Sequence, residues 1–261
     1  MGFSAEWLAL RESADRAARD ESLVRMAVEA AGPEPLIVDL GCGTGATWRA
    51  LAPHLPAGAR WCFVDNDPAL LAAAAAVAGG AETVEADIAD LAALPLERAT
   101  LVTASALLDL VPESWICDLA QRLKVPFYAA LSYSGTMRWV PESAHDAAVT
   151  DAFNRHQRGD KGLGPALGAE AGKRAASIFA RTGFKVHSAD SPWHLGPASA
   201  PLQRALTDGI AVAAGEAGMT DASAWGRHRN AMADHSHCDI GHIDILAVPP
   251  STSRGSQHAL S

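Results

Sequence analysis

The chain has 261 residues, 49 % of them apolar, which suits one α/β domain with a substantial core. Its 21 basic residues stand against 30 acidic ones, a formal net charge of −9, and no basic stretch is interleaved with aromatics. A nucleic-acid backbone is thereby excluded as the main partner and a small molecule favoured. Cys42, Cys62, Cys117 and Cys238 form no C-x-x-C pair, the first residues lack a basic and then apolar leader, and the apolar run 68–80 is mostly alanine and too short to span a bilayer. The expectation is a reduced, cytoplasmic chain with no membrane partner, a monomer or homodimer.

In chain order, residues 4–31 read as a helical cap in two pieces, with Ser4 and Asp20 as N-caps and Gly32-Pro33 as the stop. Arg11, Asp15 and Arg19 fall at i, i+4 and i+8 and share a face, either as a solvated ladder or as a surface laid over a site. Leu36-Ile37-Val38 is a buried strand ending at Asp39, followed by Gly41, Cys42, Gly43, Gly45 and a helix from Ala46. Alternate glycines allow positive φ and close approach of a ligand, and the helix start offers free N–H groups. Gly41, Gly43 and Ala46 also fit the dinucleotide pattern G-x-G-x-x-G/A. Asp39 beside a pyrophosphate would add like-charge repulsion, whereas it suits a cationic ligand with an amine and a sulfonium.

Arg60–Val64 is the second strand and ends at Asp65-Asn66-Asp67-Pro68. Asp65 stands 20 residues past Gly45, where an acid can take both ribose hydroxyls, and Asp67-Pro68 starts the next helix. Glu82–Ile88 is the third strand with its exit, and Ala99–Ala104 the fourth, leading to Ser105 and Asp109. Asp109 is either a base or orienting group, or a cap for the helix 113–124. Val125–Tyr133 is the fifth strand. The βα rhythm then stops, and 134–168 is a polar-aromatic insertion, either a substrate lid or a surface loop with a short helix at 144–156. His156, Gln157 and Asp160 lie in it, and His156 is a candidate base or a structural histidine. A helix at 169–182, a sixth strand Phe184–Ser188, helices at 199–217 and 220–233 and a last strand Ile240–Val248 follow. Trp193, in a turn after the sixth strand, either walls a pocket or packs in the core. His235, His237, Cys238, Asp239 and His242 cluster without a standard zinc spacing, so no metal is expected. The tail 251–261 reads as mobile.

The segment Asp39-Leu-Gly-Cys-Gly-Thr-Gly resembles motif I of class I S-adenosylmethionine (SAM) methyltransferases, acid-x-G-x-G-x-G. The resemblance is good over about residues 30–133 and moderate over the last strand. It implies an α/β fold: a doubly wound, mostly parallel seven-stranded sheet (3-2-1-4-5-7-6) with helices on both faces, the last strand inserted antiparallel between strands five and six. It implies an N-terminal cap over the cofactor, with an arginine, Arg11 or Arg19, at a carboxylate of cofactor or substrate. Asp87 and the Ile88 N–H match the pair that reads the adenine edge, and a carbonyl at Ser105 or Ala106 the group that holds the methionine amine. The implied cofactor set is Asp39, Gly41, Cys42, Gly43, Gly45, Asp65, Asn66, Asp87, Ile88, Ser105, Arg11 and Arg19.

The reaction so implied is methyl transfer from SAM to a small molecule, leaving S-adenosylhomocysteine (SAH), by in-line displacement at oxygen, nitrogen or carbon. Asp109, Tyr133 and His156 are the candidate catalytic groups. Two alternatives stand beside it. A nicotinamide oxidoreductase is opposed by Asp39 and by the absence of a Tyr-x-x-x-Lys constellation. A non-methylating SAM-fold enzyme or binding module would differ in its products.

Overall fold

A computed structural model describes residues 4–250. The expected mobile tail 251–261 lies outside the described residues.

Strand β1 (Leu36–Leu40) is buried along its whole length, as a parallel strand covered on both faces must be. It pairs in parallel with β2 (Arg60–Asp65) on one side and β4 (Leu101–Ser105) on the other. Outside these lie β3 (Glu82–Glu85) on β2 and β5 (Phe127–Val140) on β4, both parallel. The final strand β8 (His237–Val248) runs antiparallel between β5 and β6 (Lys185–Asp190), and the short β7 (Trp193–Leu195) pairs with the first half of β8. The main order β3-β2-β1-β4-β5-β8-β6 is the expected one, and β7 makes eight strands where seven were expected. Residues 193–195 become a strand because β8 begins at His237, three residues earlier than its apolar pattern indicates, and so presents a free edge there.

Helices α1 (Ala5–Ala18) and α2 (Glu21–Ala30) form the cap, started by Ser4, which accepts from the Trp7 N–H at 3.2 Å, and by Asp20, which accepts from the Leu23 N–H at 2.8 Å. Helices α3 (Ala46–Leu51) and α4 (Pro68–Ala78) follow β1 and β2, and Asp67 caps α4 with Pro68 at its first position. The cap helix α2 joins α3 and α4 on one sheet face, where Leu23, Leu51 and Leu71 pack on Ile37, Phe63 and Tyr128. Helices α5 (Glu113–Arg122) and α7 (Ala171–Arg181) cover the other face, where Ile116, Leu119 and Phe179 pack on Val38, Val102 and Phe127. A third cluster lies beyond the ends of the parallel strands. There α6 (Asp146–Gln157), α8 (Ala200–Glu216) and α9 (Ala222–Met232) pack on Tyr133, Trp139, Trp193 and Ile240, with Trp7 and Leu10 of α1 against them.

The fifth strand departs from the reading. It was expected to stop at Tyr133 and instead runs to Val140, with register shifts between Ala129 and Ser132 and between Tyr133 and Met137. Leu131 and Gly135, at φ 58° and 87°, carry the irregularities. The partner that extends it, β8, lies about a hundred residues away, so no local pattern announces it. The 134–168 segment is therefore a strand extension, then the expected short helix as α6, then a loop over 158–168. The third strand is Glu82–Glu85, and Ala86-Asp87-Ile88 are the expected exit from the sheet.

Candidate active site

The three glycines after β1 sit at φ 62°, 53° and 85°, so the turn needs the left-handed backbone anticipated for it. The Cys42 N–H donates to Val64 O at 3.1 Å and ties the turn to β2. Asp65, at the end of β2, accepts from the Gly43 N–H at 2.9 Å and from the Asp67 N–H at 3.1 Å, which fixes its carboxylate beside the turn. A β-carbon on Gly43 would stand 3.0 Å from the Leu8 side chain, so α1 lies directly on the glycines. The helix is fastened there by the Glu12–Arg49 ion pair, at 2.5 Å.

Arg11, Asp15 and Arg19 are all buried, which decides against the solvated ladder. Arg11 pairs with Asp15 at 2.8 Å, Asp15 also accepts from the Trp193 indole N–H at 3.0 Å, and the Arg11 guanidinium lies 5.1 Å from the Trp193 ring. Trp193 thus packs in the third cluster at the rim of the site. Arg19 donates from Nη2 to the Ser105 hydroxyl at 2.9 Å, while its Nε and Nη1 have no partner. Burial acts to lower its pKa, but the Tyr128 oxygen, Asp244 and Asp15 raise it above its ordinary value.

Asp39 is fully buried. One carboxylate oxygen accepts from the Thr103 hydroxyl on β4 at 2.7 Å and the other has no partner. Burial pushes its pKa up to about 7, against the lowering pull of Thr103, Arg19 and Thr47. The ends of β1 and β4 therefore present an unpartnered acidic oxygen and unpartnered guanidinium nitrogens. That pair of opposite charges complements an ammonium and a carboxylate on one small ligand.

Asp109 does not cap α5, whose N-cap is Pro112 with no side-chain hydrogen bond. It sits in a 3-10 turn at Leu108–Leu110, 7 % exposed, with Oδ1 unpartnered. Burial raises its pKa to about 6 against its own and Tyr133's backbone N–H groups and the charges of Arg11 and Lys161. The Tyr133 hydroxyl donates to Asn154 Oδ1 at 2.9 Å. Both ring nitrogens of His156 are engaged, Nε2 with Glu216 at 2.8 Å and Nδ1 with the Lys161 ammonium at 3.4 Å. At the other rim, Asn66 and Asp87 are exposed, Asp87 Oδ1 accepts from the Ala89 N–H at 2.9 Å, and Ile88 O accepts from the Trp115 indole at 2.8 Å.

One group, Asp244, escaped the sequence reading, and another, His242, entered it only as a member of the 235–242 cluster. His242 is 7 % exposed between the rings of Trp193 and Tyr133, with Nδ1 unpartnered, and burial lowers its pKa to about 3. Asp244 is fully buried and accepts four hydrogen bonds. Its one sequence signal is a lone carboxylate among Ile243, Ile245 and Leu246. The remaining ligand types of the 235–242 cluster part company, since Cys238 turns into the core while Asp239 meets His194 at 2.8 Å. Among the described residues no group of three His, Cys, Asp or Glu is placed to hold a metal, and no helix is long and apolar enough to cross a membrane.

Residues 37–125 match the family described as a methyltransferase domain. A curated relative, trans-aconitate 2-methyltransferase of Paracidovorax citrulli, is 41 % identical over 91 residues; the match spans 35 % of this chain and 34 % of that protein. Among solved structures, a cyclopropane-fatty-acyl-phospholipid synthase-like protein from Lactobacillus casei superposes with a TM-score of 0.58 at 13 % identity, covering 95 % of each chain. The cyclopropane synthase of Mycobacterium tuberculosis gives 0.51 at 13 % identity, covering 94 % of each. The strand order and these superpositions give the chain a Rossmann-like methyltransferase fold, and its residues 37–125, which include the glycine turn, are similar to a methyltransferase domain.

Proposed function

We propose that the chain transfers the methyl group of SAM to a small-molecule acceptor in the cytoplasm. The observation that carries this reading is the pair of unpartnered, oppositely charged groups flanking the glycine turn, Asp39 Oδ2 and Arg19 Nε and Nη1. In it Asp39 receives the methionine ammonium and Arg19 the carboxylate. Asp65, already aimed at Gly43, takes the ribose hydroxyls, and the Ile88 N–H with the Asp87 carboxylate faces the adenine edge. The net charge and the partial relative named for trans-aconitate support a small acceptor.

Bound SAM supplies a methyl group made electrophilic by its sulfonium. The work left to the protein is orientation, exclusion of water and removal of a proton. Helix α1, lying on the glycines, excludes water. Asp109 is the base: its carboxylate is buried, one oxygen is unpartnered, and its pKa of about 6 leaves it ionised at neutral pH yet basic enough to accept a proton. With the cofactor bound, Asp109 would accept the proton of an acceptor O–H or N–H. Tyr133 orients from beside Asp109. His156, held between Glu216 and Lys161, anchors the 158–168 loop, which serves as the lid.

Isothermal titration tests the cofactor assignment: heat with SAH and none with NADH is expected, and silence with SAH overturns it. Sinefungin tests the base without an identified acceptor, because it carries an amine where SAM carries its methyl. The wild-type chain is expected to prefer sinefungin over SAH. Asp109→Asn should reduce that preference about tenfold, the scale of one charge-assisted hydrogen bond, and leave SAH nearly unchanged. An unaltered ratio removes Asp109 from the methyl.

A further inference from the structure

Asp244, on β8, lies outside every motif and yet gathers donors from four separate places. Oδ1 accepts from the Leu131 N–H at 2.8 Å and the Ser191 hydroxyl at 2.6 Å, and Oδ2 from the Tyr128 phenol at 3.1 Å and the Asp20 N–H at 3.2 Å. All four donors are neutral, and the Arg19 guanidinium lies near enough to this fully buried carboxylate to feel its charge without hydrogen-bonding to it. The Leu131 bond supports a residue in left-handed backbone, at φ 58°. The Asp20 bond grips the peptide that joins Asp20 to Arg19, at the junction of α1 and α2. The Arg19 guanidinium faces the Tyr128 oxygen and the Asp244 charge on one side and donates to Ser105 on the other, with Nε and Nη1 left over.

We infer that Asp244 is a positioning residue for Arg19: through the Asp20 N–H and the Tyr128 phenol it holds the guanidinium at the end of β4, and so sets the site's preference for adenosyl ligands that carry an amino-acid carboxylate. The inference rests on the cofactor reading above. It assigns to the last strand a part in ligand selection that a merely structural buried carboxylate would not have.

Two variants separate these roles. Asp244→Asn keeps an oxygen for Leu131 and Ser191 and turns an amide N–H₂ toward the Asp20 N–H, donor against donor. Tyr128→Phe removes only the phenol oxygen and keeps the shape of the core. The probes are SAH and 5′-methylthioadenosine, which lacks the amino-acid end, each titrated calorimetrically into the full chain. In both variants SAH is expected to weaken by about tenfold and methylthioadenosine to stay within about twofold, since the lost term is one charge-assisted contact at the carboxylate. Arg19→Ala should reproduce the loss and add little on top of Asp244→Asn. Equal weakening of both ligands, or an unchanged ratio in variants whose thermal unfolding shows them folded, overturns the inference and leaves the cofactor reading standing. A wild-type chain that binds neither ligand overturns the cofactor reading, and the inference with it. Should Asp244→Asn fail to fold, Tyr128→Phe alone decides.

Discussion

Asp39 is a side chain costly to the empty fold, and the proposed cofactor ammonium would turn that cost to use. Its folded carboxyl titrates near 7 and a free aspartate at 3.8, so between those values the folded chain holds a proton that the unfolded chain has lost. Stability contributed at this residue therefore falls as pH rises through that window and is level above it. Asp39→Asn keeps an oxygen for Thr103 and removes the buried charge. We expect the ligand-free variant to gain roughly 2 kcal/mol over wild type at pH 8 and nothing at pH 4, measured by urea unfolding at both. The same variant should lose SAH affinity, and wild-type affinity for SAH should climb as pH rises toward 7. Asp65 is the opposite case. Its carboxylate already accepts from the Gly43 and Asp67 N–H groups, which hold it in place beside the turn. Asp65→Ala is expected to weaken SAH by ~1.5–3 kcal/mol in titration calorimetry. An unchanged affinity in a folded variant would remove the ribose assignment.

Elements whose signals are local were legible beforehand. The strand, glycine turn and helix at 36–51, the caps at Ser4, Asp20 and Asp67, and helices α6, α8 and α9 all appear within two residues of their reading, because glycine spacing, capping and helical period act over a few residues. What was illegible depends on distant partners. Tyr133 to Val140 became strand because β8 pairs with it, and Trp193–Leu195 because β8 starts early. Arg11 and Arg19 could not be told from a surface ladder until Trp193 and Ser105 were seen against them. Asp109 was read as either base or cap, and only the absent bond at α5 separates these. Gly135 is the hinge of the extension: its φ is 87°, and a β-carbon there would come within 2.6 Å of that of Ala169. Gly135→Ala should therefore cost roughly 2 kcal/mol, seen as a lower thermal midpoint, and loosen the 158–168 loop in hydrogen exchange. SAH binding, whose proposed groups lie outside that loop, should stay within about twofold.

At the scale of the molecule, the two faces of the sheet and the third cluster leave little that is both reactive and reachable. All four cysteines are free, and three are buried: burial pushes Cys62 up to about 11 and raises Cys42 and Cys238 further. Cys117, half-buried on α5, is the exception. Ellman's reagent should therefore titrate one thiol in the native chain at pH 8 and four in guanidinium, and a native value of three or four would contradict the packing around the glycine turn. The C-terminal layer is tied together by the ion pair of buried Arg229 with half-buried Asp146, to which Trp225 adds an indole N–H at 2.8 Å.

The placement of β8 between β5 and β6 has a consequence for synthesis. A ribosome that has released residues up to about 235 has made every strand except the one that joins the two halves of the sheet. Until that strand emerges, β5 and β6 each present an open edge ready to pair with a stranger. Asp244 arrives on the same strand, so the nascent chain gains its sheet closure and its grip on Arg19 in a single late event. A stalled or clipped chain lacking β8 should accordingly be recovered with chaperones or in inclusion bodies, even though its glycine turn is intact.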